Sequence, residues 1–178
     1  SKFLLTKNYV VYGVKRRSSI INTQRIDDIY KDINYKSNFV LLYGDLTDAS
    51  SILNIIKKIV PDEIYNLAAQ SHVSVSFKNP IYTTQVGTLG SISLLEAIRN
   101  TEKDIKFYQA SSSEMYGGSS KEKLNEKSPF DPKSPYAASK VFAHNVTKLY
   151  RESYDMFCVK GILFNHESPM RGETFVTR

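Results

Sequence analysis

Tyr136 and Lys140 stand four residues apart in "SPYAASK" (134–140), directly after a proline. On a helix, residues i and i+4 share a face. A lysine ammonium beside a phenol stabilises the phenolate, draws its pKa towards neutrality and makes a usable general base. In a chain with 12 tyrosines the spacing alone decides nothing, because such matches arise by chance. The weight comes from "SSSEMYG" (111–117), which follows the apolar run "IKFYQA". Three hydroxyls and a carboxylate at the end of a strand form a proton-handling cluster. Ser112, Glu114, Tyr136 and Lys140 are therefore the candidate catalytic set.

The elements needed to position that set can be read from apolar periodicity, which switches between strand and helix patterns along the chain. Strands are expected at 9–14, 39–44, 63–68, 105–111 and 157–164. Helices are expected at 24–33, 48–60, 135–154 and, as one long element, 80–99, with Asp48 as the N-cap of the second. Apolar strands alternating with helices indicate a doubly wound α/β fold with a parallel, Rossmann-type sheet. The opening "SKFLL" reads as the end of a helix, yet no strand and Gly-rich turn precede it. In the strand order 3-2-1-4-5-6 that first strand is central. The expectation is a part of a longer chain: an incomplete nucleotide-binding domain over 1–163 and the start of a substrate segment over 164–178. A polypeptide of these residues alone is expected neither to fold stably nor to bind cofactor.

Open α/β sheets bind ligands at the carboxyl ends of their strands. "RRSS" (Arg16, Arg17, Ser18, Ser19) occupies one such end, where an acidic residue would take the ribose hydroxyl of NAD. Basic residues there suit a 2′-phosphate; a solvated basic turn is the bland alternative. Asp45, in "YGDLTD", could accept from an adenine amino group. In "LAAQSHV", Ala68 and Ala69 let a cofactor approach the backbone closely, and Gln70, Ser71 and His72 could reach cofactor or substrate, although a lone histidine is more often structural.

Composition narrows the field. The net charge of +6 is scattered and no aromatic-interleaved basic stripe occurs, so an anionic small ligand is the better partner and nucleic acid is not expected. No signal peptide or long apolar run is present in these residues, which favours a cytoplasmic protein without a membrane role. The single Cys158 excludes an internal disulfide, and the three histidines are too far apart for metal-ligand spacing. The sequon at Asn145 falls inside an expected helix and reads as chance.

Taken together, "RRSSIINTQRI", "YGDLTD", "EIYNLAAQSHVSVSF", "FYQASSSEMYG", "SPYAASK" and "GILFNHESPMRGETFVTR" resemble the extended short-chain dehydrogenase/reductase family, within it the branch that dehydrates GDP-sugars. The resemblance runs from about residue 3 to 178. It implies NADP as a retained cofactor and GDP-mannose as substrate. C4 is oxidised while Tyr136 removes the O4 proton, Glu114 takes the C5 proton, water leaves C6 with help from Ser112 and Glu114, and hydride returns to C6.

It also implies cofactor contacts at Arg16, Arg17, Ser18, Ser19, Asp45, Leu46, Leu67, Ala68, Ala69, Gln70, Ser71, Tyr82, Tyr136, Lys140, His166 and Arg171. Ser71, Ser112, Glu114, Asn165, Glu167 and Phe175 would face the sugar nucleotide. A homodimer or homotetramer is implied. Position 112 is Ser where the branch often has Thr, which keeps the hydroxyl. Alternatives are a dehydratase of another GDP-sugar such as a GDP-heptose, an epimerase, or an inactive NADP-binding regulatory homologue; the intact catalytic set speaks against the last.

Overall fold

The computed structural model describes residues 1–19, 23–118 and 123–168. It divides into two compact units, one built on Ser1–Asp45 and one on Leu46–His166.

In the first unit, α1 (Lys2–Leu5) precedes β1 (Val11–Lys15), and α2 (Asp27–Lys31) precedes β2 (Phe39–Tyr43). The two strands pair in parallel, Val11 opposite Phe39 and Lys15 opposite Tyr43. Leu5, Ile29 and Phe39 are its buried centre, with Val11, Ile26, Tyr35 and Leu41 packed around them. Gly13 permits this packing, since a Cβ there would lie 2.9 Å from the Leu41 side chain.

The second unit runs α3 (Ala49–Ile59), β3 (Glu63–Asn66), α4 (Val73–Lys78), α5 (Pro80–Gly87), α6 (Leu89–Arg99), β4 (Lys106–Ser112), a 3₁₀ turn (Ser113–Tyr116), α7 (Pro135–Tyr154) and β5 (Cys158–Leu163). Its sheet is parallel in the order β3-β4-β5. The core joins Ile52 and Ile56 of α3, Leu94, Leu95 and Ile98 of α6, Phe107 of β4, Val146 and Tyr150 of α7 and Cys158 of β5. Leu95 and Phe107 are wholly excluded from solvent, each contributing about 1.5–3 kcal/mol of transfer free energy. Burial also pushes the Cys158 thiol up to about 11, so it stays a protonated core group.

Among the described residues the two parallel sheets have two and three strands.

The expected helix over 80–99 is instead two, α5 and α6, divided at Thr88. The hydrogen-bond ladder persists across the joint, Thr88 N to Thr84 O at 2.8 Å and Ile92 N to Thr88 O at 3.1 Å. Hydroxyls of Thr88, Ser91 and Ser93 bond back to carbonyls one turn earlier, a habit that bends helices. Helix α4 was not expected, because "VSVS" alternates with a strand's period. Among the described residues no helix is long and apolar enough to cross a membrane.

Candidate active site

Helix α7 carries the phenol and the ammonium, and its start is sharply specified. The Ser134 hydroxyl accepts from Ala137 N at 3.1 Å and Pro135 occupies the first turn. Two positions in, Tyr136 is only 9% exposed, and Lys140, one turn on, only 4%. The Lys140 ammonium donates to the Ala110 carbonyl of β4 at 2.8 Å and lies 5.8 Å from the Tyr136 ring centroid.

Strand β4 and its 3₁₀ turn bring the other half. Ser112 ends the strand, 8% exposed, and its hydroxyl accepts from Glu114 N at 3.2 Å, which caps the turn. The turn exits through Gly117 at φ +72°, where a Cβ would sit 2.1 Å from the Asp131 carbonyl oxygen. Glu114 itself is exposed.

The electrostatics differ in one respect from the sequence reading. Burial raises the Tyr136 pKa; the hydrogen bond with Ser112 draws it back, and the Glu114 charge pushes it up. Burial also lowers Lys140 to about 8. Desolvation disfavours both charged forms, so here the phenolate is harder to form than the pairing with Lys140 led one to expect. The four candidate catalytic residues are nonetheless brought into one neighbourhood.

The remaining expected residues fall elsewhere. Arg16, Arg17, Ser18 and Ser19 follow β1 and are exposed. The Arg17 guanidinium stacks 4.4 Å and the Lys15 ammonium 5.0 Å from the Tyr43 ring centroid, and Arg17, Ser18, Ser19 and Tyr43 line a cleft of about 390 Å³. Asp45 follows β2 in the same unit, and Leu46 leads to Asp48, whose side chain caps α3 by accepting from Ser51 N at 3.0 Å, as expected. Leu67, Ala68, Ala69, Gln70 and Ser71 follow β3, with Leu67 66% exposed. Gln70 accepts from the Thr83 hydroxyl at 3.2 Å and donates to the His72 carbonyl at 3.3 Å. Tyr82 lies on α5, and Asn165, His166 and Glu167 follow β5, all three exposed. Arg171 and Phe175 lie outside the described residues.

Sequence reasoning missed a buried polar link. The Asn66 amide donates to Gln109 Oε1 at 2.9 Å, and Gln109 Nε2 donates to the Ala110 carbonyl at 3.1 Å, the same oxygen that Lys140 uses. It also missed Ser111 and His144, whose Oγ and Nδ1 are hydrogen-bonded at 2.9 Å. A signal existed for His144: positions 136, 140 and 144 continue one helical stripe.

The chain has counterparts among known proteins. The family model for GDP-mannose 4,6 dehydratase matches residues 1–178. GDP-mannose 4,6-dehydratase of Vibrio cholerae is 55% identical over 181 residues, covering 100% of this chain and 49% of the relative. The chain thus spans about half the length of the curated relatives it matches. A double mutant of a dTDP-glucose 4,6-dehydratase from Streptomyces venezuelae, with NAD and DAU bound, superposes with a TM-score of 0.82 at 23% identity, over 98% of this chain and 54% of that one. RMD from Pseudomonas aeruginosa, complexed with NADPH, gives 0.69 at 26% identity, over 77% and 48%. With a match along its whole length and more than half of its residues shared with a named relative, the chain belongs to the GDP-mannose 4,6-dehydratase family.

Proposed function

We propose that the protein carrying this chain is an NADP-dependent hydro-lyase that converts GDP-mannose to GDP-4-keto-6-deoxymannose. The observation that carries the reading is the convergence of Ser112, Tyr136 and Lys140, all buried, with Glu114 at the end of β4. The comparisons favour this substrate over another GDP-sugar, because the matched family and the 55% identical relative both bear its name.

A nicotinamide dinucleotide, when bound, supplies the hydride acceptor for C4 and the donor for C6. The residues present fit it. Arg16 and Arg17 with the hydroxyls of Ser18 and Ser19 are a donor set for a 2′-phosphate, and their exposure leaves them able to reach a ligand. The short side chains of Ala68 and Ala69 expose backbone to it. We assign Asp45, Leu46, Leu67, Gln70, Ser71, Tyr82, Tyr136, Lys140, His166 and Arg171 to the same cofactor, and Ser71, Ser112, Glu114, Asn165, Glu167 and Phe175 to the sugar nucleotide. Residues 1–163 would then form the cofactor-binding domain and 164–178 the start of the substrate segment. A homodimer or homotetramer, located in the cytoplasm, is the assembly that accompanies this reading.

In the reaction, Tyr136 takes the O4 proton. Its raised pKa makes the phenolate costly, and the Ser112 hydrogen bond offsets part of that cost. Lys140, fixed on the Ala110 carbonyl, supplies positive charge beside the ring. Once C4 is a ketone the C5 hydrogen is acidic, and Glu114 removes it. The Ser112 and Glu114 pair then protonates the departing C6 hydroxyl.

The test is mass spectrometry of the product formed from GDP-mannose with NADP⁺ by the full-length protein. Loss of one water, with no net change in cofactor redox state, is expected. An unaltered mass, or an isomer of equal mass, would refute the assignment.

A further inference from the structure

We propose that His144 is a positioning residue that holds the Ser112–Glu114 segment from both ends. The inference rests on the reading above for the roles of Ser112 and Glu114, but its geometry stands by itself.

On one side, His144 Nδ1 is hydrogen-bonded to the hydroxyl of Ser111, the residue immediately before Ser112, at 2.9 Å. On the other, the imidazole meets the Phe130 ring edge-on, centroids 5.1 Å apart at 79°. Phe130 packs in turn on Tyr116, 5.2 Å away, the last residue of the turn that contains Glu114. Tyr116 is 5% exposed and its hydroxyl donates to the Asn125 carbonyl at 3.0 Å, while Asp131 N donates to the Met115 carbonyl at 2.9 Å. The segment between these two holds is short, and the Ser112 hydroxyl is itself bonded to Glu114 N. A shift at either end therefore reaches both functional groups.

An imidazole suits the position for a definite reason. It offers a ring nitrogen to Ser111 and a ring edge to Phe130 at once, whereas Phe offers only the second and Asn only the first. His144 continues the stripe of Tyr136 and Lys140, so a single rigid helix fixes the phenol, the ammonium and the acid–base segment together. Burial first, then the charges of Lys160 and Arg151, hold His144 near a pKa of about 4, so its hydrogen-bonding state does not change around neutrality.

The test uses the full-length protein with His144→Phe, His144→Asn, Ser111→Ala and the double variant His144→Phe/Ser111→Ala. Hydrogen exchange, which needs no substrate, should show the amides of 112–116 exchanging about tenfold faster in His144→Phe and in Ser111→Ala, with 106–109 and α7 as in the parent. Unchanged exchange at 112–116, or faster exchange throughout β4 and α7, overturns the proposal. In steady-state dehydration, kcat should fall roughly tenfold with KM within about twofold. The double variant should be no worse than the poorer single one, and His144→Asn should recover part of kcat. Multiplicative losses in the double variant would overturn the shared hold. If the parent leaves GDP-mannose unchanged while the exchange pattern appears, the positioning role stands and the enzymatic reading fails.

Discussion

Two polar clusters terminate strands of this chain, and they are built in opposite ways. After β1, Arg16–Ser19 are exposed, and Arg17 rests on the face of Tyr43. After β4, Ser112 is 8% and Lys140 4% exposed, and Lys140 is tied to a backbone carbonyl. The contrast follows from the tasks proposed for them. A charge that selects a phosphate needs reach, and loses little by being solvated until the ligand arrives. Proton transfer needs fixed geometry, and burial supplies it while costing stability and, at Tyr136, making the phenolate harder to form. The first region should thus govern affinity and the second rate.

The largest expected effect lies in the buried region. Tyr136→Phe should reduce kcat by about 10²–10⁴-fold, far more than it weakens cofactor binding; steady-state kinetics beside a binding titration checks this, and a near-normal rate would break the division of labour. Arg17→Ala should do the converse. NADP⁺ affinity should fall about 10- to 100-fold, with NAD⁺ affinity and the melting temperature little altered, by calorimetric titration and thermal scan. An unchanged preference for NADP⁺ would remove the basic cluster from the account.

Stability sharpens the same contrast. Gly117→Ala forces a Cβ against the Asp131 carbonyl at positive φ, and should cost about 1–3 kcal/mol in urea unfolding, where Arg17→Ala costs almost nothing. The remaining effect is one of pH. His144 has a folded pKa of about 4, below its unfolded value near 6.5, so as pH falls the unfolded chain takes the proton first. Stability should therefore decline as pH drops from about 6.5 to about 4. His144→Phe should lose that part of the slope, and parallel pH profiles of urea midpoints for parent and variant would contradict it.

Much of this was legible beforehand because local chemistry coincided with the global fold. Helix α7 runs from Pro135 to Tyr154, the bounds its sequence announces, since Ser134 and Pro135 mark its start and Asp155, at φ +53°, its end. Asp48 capped α3 for the same reason. The division at Thr88 was hidden because the helical pattern, like the backbone hydrogen-bond ladder, runs through it. Helix α4 was hidden because "VSVS" carries the wrong period and only packing overrides it. At the candidate site, residue types pointed to Ser112, Glu114, Tyr136 and Lys140, which the fold brings into one neighbourhood. The links through Gln109, Ser111 and His144 depend on which atoms meet across 30 or more residues, and periodicity does not encode that. Nor could spacing show that burial would raise the Tyr136 pKa.

The central claim is that the segment after β4 performs the elimination while Tyr136 serves the redox step, and Glu114→Gln tests it most directly. The amide keeps the shape of the side chain but cannot take the C5 proton. In a single turnover with GDP-mannose and NADP⁺, absorbance of reduced nicotinamide should accumulate, while dehydrated product forms about 10²–10⁴-fold more slowly than in the parent. Dehydration at the parent rate, with no such accumulation, would contradict the account and place the base elsewhere.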